Sequence, residues 1–123
     1  MNSEIITGGD AWSIDFNNIA SNNGSAYSNW VDIAAYDTVS LPVSTMPRYV
    51  LYGLSANGVD DYQYITFYDV AKNNSVRIIK GTSATSFTVS VVTGASNLTV
   101  TSSSISYYNS ASTARSVGIV AFY

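Results

Sequence analysis

The chain has 123 residues, of which 46% are hydrophobic and only 11% charged, and its net charge is −3. Five basic residues make no stripe for a phosphate backbone, so nucleic acid is excluded as an expected partner. Cysteine and histidine are both absent, which removes disulfides, Cys or His metal ligands, and the Ser-His and Cys-His nucleophile pairs.

The length predicts one domain, and the longest apolar runs are only a few residues, so no membrane insertion is expected. The opening MNSEIITGGD lacks the basic and apolar regions of a secretory signal. Residues 1–10 read as a short arm set off by Gly8-Gly9, and residues 11–123 as a single domain. In residues 11–17, Trp12, Ile14 and Phe16 alternate with Ser13 and Asp15, the pattern of a half-buried strand. A polar loop at 18–29 carries Asn23-Gly24 and Tyr27. Residues 30–36 begin with Trp30 and are strand-like, with Val31 and Ile33 alternating with Asp32. Residues 38–43 form a brief strand whose Pro42 has no N–H for a ladder, which assigns it to an edge. Residues 48–55, RYVLYGLS, are apolar on both faces and read as a central strand.

Asn57-Gly58 signals a turn before Asp60-Asp61 and leads into a hairpin. Its first strand, residues 62–70, places Tyr62, Tyr64, Thr66 and Tyr68 on one side and Ile65 and Phe67 on the other, which predicts cover on both faces. Residues 71–74, AKNN, turn, and residues 75–80 return with Val76 and Ile78 alternating against Arg77 and Ile79. A lone hairpin is marginal in water, so a second sheet must cover it. Further strands are predicted at 86–92, with Phe87, Val89 and Val91 inward, at 98–101, at 105–109 and at 116–123. Gly94, a Ser run at 102–104 and the loop SASTAR at 110–115 separate them. The sum is nine or ten short strands with turn signals every 8–12 residues, which predicts an all-β, antiparallel, jelly-roll-like sandwich. Because the last strand runs to the final residues, it must be tied into the sheet.

Ten tyrosines are the strongest compositional signal. Tyrosine is rigid and amphipathic, so it serves sugar stacking and protein interfaces, and it also fills sandwich cores with its hydroxyl at the rim. Tyr27, Trp30, Asp60, Asp61, Tyr107 and Tyr108 are the candidate ligand-binding residues. Core packing is the competing reading for both Trp12 and Trp30. Tyr107 and Tyr108 are consecutive and must point to opposite faces of a strand. Asp60 and Asp61 could offer oxygen to calcium, but two adjacent carboxylates fall short of a calcium loop, so no metal or cofactor is expected. No catalytic residue is assigned: Glu4, the single Glu, sits in the arm, and the Asp residues lie mostly beside turns. Asn23, Asn73 and Asn97 begin N-x-[ST] sequons, a frequent chance match in so Asn-, Ser- and Thr-rich a chain.

The stretch SFTVSVVTGASNLTVTSSSISYYNSASTARSVGIVAFY resembles the closing strands of phage tail-fibre tips and related virion appendage domains. The likeness lies in short Ser/Thr/Asn strands, an S-I-S-Y hairpin and a final strand ending in aromatics, and it covers the last third of the chain. It implies a β-sandwich head on the virion surface, homo-oligomeric and most often trimeric, that binds a host glycan or stabilises the particle. Apolar residues on both strand faces, more than one small core consumes, point to a homo-oligomer as well. Bacterial lectins share the style, so a secreted carbohydrate-binding module is the alternative, with loops 18–29, 56–61 and 110–115 as its candidate contacts.

Overall fold

The computed structural model describes residues 31–55, 62–80 and 87–123, together with two short strands at Ile6–Thr7 and Ser13–Ile14. Every regular element among them is a strand. In chain order these are β1 (Ile6–Thr7), β2 (Ser13–Ile14), β3 (Val31–Ile33), β4 (Thr38–Pro42), β5 (Tyr49–Ser55), β6 (Tyr62–Asp69), β7 (Asn74–Lys80), β8 (Phe87–Thr93), β9 (Leu98–Val100), β10 (Ser104–Tyr108) and β11 (Arg115–Phe122). A six-stranded sheet has the order β3-β11-β5-β6-β7-β8, and a three-stranded sheet has the order β4-β10-β9. All pairings are antiparallel, and β1 pairs with β2, so Ile6–Thr7 of the expected arm is a strand.

The two larger sheets pack into the expected sandwich. Strands β5 to β8 form a meander, and after β9 and β10 cross to the other sheet β11 returns to lie beside β5. The hydrophobic alternation in the sequence selects the inner face. Ile33 from β3, Val117, Ile119 and Ala121 from β11, and Val50 and Tyr52 from β5 meet Leu41 from β4 and Ile105 and Tyr107 from β10. RYVLYGLS is central, as its two apolar faces require, and the Pro42 strand is an edge. The turn after β9 is held by hydroxyl chemistry: the Ser103 and Ser104 amides donate to Thr101 Oγ1 at 3.2 and 3.0 Å. This is what the Ser/Thr run in the sequence is for.

The small sheet covers only half of the large one. Its fully buried partners come from β3, β11 and β5, Tyr68 of β6 packs against the same cluster, and β7 and β8 extend beyond it as a wing. This corrects one expectation. Phe87, Val89 and Val91 do not point inward; Val89 and Val91 are 54% and 76% exposed on the outer face. Register shows why. Val91 lies opposite Val76, Val76 opposite Phe67 and Phe67 opposite Leu51, so this row is on the outer side, away from the face that carries Tyr52 and Ile119. Periodicity established that Phe87, Val89 and Val91 share a side, but not which side the second sheet occupies. Phe67, expected to be covered, is 41% exposed in this row, whereas Ile65 on the same side of β6 and Leu51 and Val120 further along the row are buried, so β6 is covered on both faces at Ile65 but not at Phe67.

Candidate functional site

Two surfaces emerge from this frame. The first is an end of the sandwich where three loops gather around Asn109. Asn109 is buried, and its Nδ2 donates to the carbonyls of Ile33, Ala34 and Thr113 at 3.1, 3.1 and 3.0 Å, while its Oδ1 accepts from the Ala111 amide at 3.0 Å. Its own amide donates to the Asp37 carbonyl at 2.8 Å. One side chain thus ties the 34–37 turn to the 110–114 loop. The third loop joins through Asn97, whose carbonyl accepts from the Tyr108 amide at 3.0 Å and whose Nδ2 donates to Ser110 Oγ at 2.9 Å.

Exposed at this end are Tyr36, Asp37, Asn97, Tyr108 and Ser110. Tyr36 is 61% exposed and sits at φ 61°, a left-handed conformation that costs a bulky residue free energy. Aromatic faces beside carboxylate, amide and hydroxyl groups provide stacking and hydrogen bonding together, the combination that sugar rings require. Nothing in the local pattern of the sequence singled out Tyr36. The only available signal was its place in a tight connection between two strands.

The second surface is the outer face of the wing. Phe67, Val76, Val89 and Val91 are exposed there, and Phe67 stacks on Tyr49 with ring centroids 5.3 Å apart and meets Phe122 at 6.0 Å. The inner face of the same strands mixes Ser75, Arg77, Thr88 and Ser90 with Ile79 and Val92, and Ser75 and Arg77 are bonded to the 94–96 connection. Arg77 Nη2 donates to Ser96 Oγ at 2.7 Å, Ser75 Oγ donates to the Gly94 carbonyl at 2.6 Å, and the Tyr52 hydroxyl donates to the Ser96 carbonyl at 3.3 Å. The fully buried Thr66 hydroxyl finds no hydrogen-bond partner among the described residues.

Of the candidate ligand residues, Tyr108 is on the surface at the Asn109 end, and its neighbour Tyr107 is 1% exposed in the core, where its ring lies 6.0 Å from that of Tyr52. The pair does divide between the two faces, which gives Tyr107 to packing rather than to a ligand. Tyr27, Trp30, Asp60 and Asp61 lie outside the described residues, as do the loops 18–29 and 56–61. Among the described residues no cluster of three or more Asp or Glu gathers to hold a metal ion. No protein-family model, curated protein or solved structure matches the chain.

Proposed function

We propose that this chain is a non-enzymatic assembly and attachment domain, a homo-oligomeric β-sandwich head of the virion-appendage kind. The observation that carries the reading is the exposed apolar row Phe67, Val76, Val91 on the outer side of the large sheet. An apolar strip on the outer side of a sandwich marks an interaction surface. With only 11% charged residues, the chain has little other means of keeping such a strip in water. The resemblance of the closing strands to phage fibre tips supplies the setting, a particle surface where copies assemble. Light scattering on the full chain at micromolar concentration tests it: an oligomer is expected, and a clean monomer sinks the reading.

Tyr36 favours a second reading alongside the first, in which the Asn109 end holds a glycan. Strain at an exposed aromatic is retained where a ligand uses it. A glycan array probed with the parent chain and with Tyr36→Asn decides this. Binding lost in the variant supports the site, and no binder, or equal binding, removes it.

A further inference from the structure

The small sheet turns Leu41, Ile105 and Tyr107, with Val39, Leu98 and Val100, into the core, so the residues between them point outward. The pairing register arranges these in rows across the sheet. One row is Ser40 from β4, Ser106 from β10 and Thr99 from β9. On one side of it Tyr108 lies opposite Thr38, and on the other Ser104 lies opposite Pro42. Three neighbouring strands thus repeat one short pattern: Thr-Val-Ser at 38–40, Thr-Val-Thr at 99–101 and Ser-Ile-Ser at 104–106, each with its hydroxyls out and its branched apolar residue in.

None of these outward residues is charged, and only Tyr108 and Pro42 offer apolar surface of any size. Protein partners need an apolar or aromatic centre, and anionic ligands need a cation; this face has neither. It presents hydroxyls at a fixed spacing, about 4.8 Å from strand to strand and about 6.8 Å along a strand. Thr101 is committed to its own turn, where its Oγ1 accepts from the Ser103 and Ser104 amides. Ser40 and Ser106 share a hydrogen bond of 2.8 Å in which either oxygen can donate, so the pair can turn a donor or an acceptor toward a ligand. Thr38, Ser40 and Thr99 are exposed. Tyr108, 41% exposed, adds an aromatic ring and joins this face to the Asn109 end.

We propose that a neutral polysaccharide chain lies across the outer face of the small sheet, crossing β4, β10 and β9 along the row Ser40, Ser106, Thr99 and flanked by Tyr108. This rests on the glycan reading of the Asn109 end and extends it from a single sugar to a chain. The strand spacing is close to the advance of an extended glycan per ring, so consecutive sugars meet consecutive strands. A surface hydroxyl that exchanges water for one sugar hydroxyl gains little, and a repeating ligand that meets several at once gains from each.

Titration calorimetry with neutral glucan, mannan and chitin oligosaccharides of two to six rings tests this, with oligogalacturonate as the acidic control. Affinity for at least one neutral series is expected to rise roughly tenfold from two rings to four and then to level off, since only three strands are crossed. The double variant Ser106→Ala, Thr99→Val removes two hydroxyls and keeps the strand shape, and its affinity for six rings is expected to fall roughly tenfold. Ser102→Ala, in the exposed turn before β10, is the control. A thermal melt checks that the double variant folds, and the length dependence is read on the parent chain independently of it. Binding without length dependence, length dependence that the double variant keeps, or a preference for oligogalacturonate overturns the row and leaves a sugar at the Asn109 end standing. No binding in any series overturns both.

Discussion

At the scale of single residues, Asn109 and Tyr36 act in opposite directions. Asn109 answers three carbonyls and one amide from inside the fold, so its loss leaves several buried groups without partners. Asn109→Ala should cost about 2–3 kcal/mol in urea denaturation. Asn109→Asp should cost more, because a carboxylate would face three carbonyl oxygens; an equal cost would show that those bonds contribute little. Tyr36 stores strain instead. Asn tolerates the left-handed region and the ring is mostly in solvent, so Tyr36→Asn should raise stability by about 1 kcal/mol. A variant less stable than the parent would show that the ring packs on something. Of these two, neither was legible in the sequence. Asn109 sits in a run of Tyr, Asn and Ser, where nothing distinguishes an asparagine that bridges two loops from one that faces water, because two of its three carbonyl partners lie 75 and 76 residues away in the chain.

Individual strands show what pattern alone can carry. The organising hairpin, the central place of β5, the edge place of β4 and the buried closing strand all follow from local alternation and from the missing N–H of Pro42. The facing of β8 does not, because alternation is symmetric between the two sides of a sheet and only the extent of the second sheet breaks that symmetry. Strand β11 lies between β3 and β5, and Ile119 is fully buried on its inner face. Ile119→Ala should cost about 3–4 kcal/mol, through lost burial and the cavity left in a clamped layer. Val91→Ala, the same kind of truncation on the wing, should stay within about 0.5 kcal/mol in the dissociated chain. Thermal or urea melts of both variants check the contrast. Comparable losses would mean that the wing is clamped too.

For the molecule as a whole, uneven cover implies uneven stability. The β3-β11-β5 half is held from the inner side by the packed core of the small sheet, while β7 is held there by hydrogen bonds from Ser75 and Arg77 to the 94–96 connection. Amides of β11 and β5 should therefore exchange with solvent only through global opening, while β8 frays at lower cost. Residue-resolved hydrogen exchange reads the difference directly. Protection at Val117, Ile119 and Val120 of β11 should match the global stability measured by urea melts, and protection at Thr88 and Ser90 of β8 should fall below it. Equal protection in both strands would show that β8 opens only with the whole fold, and that the outer strands are held as firmly as the centre.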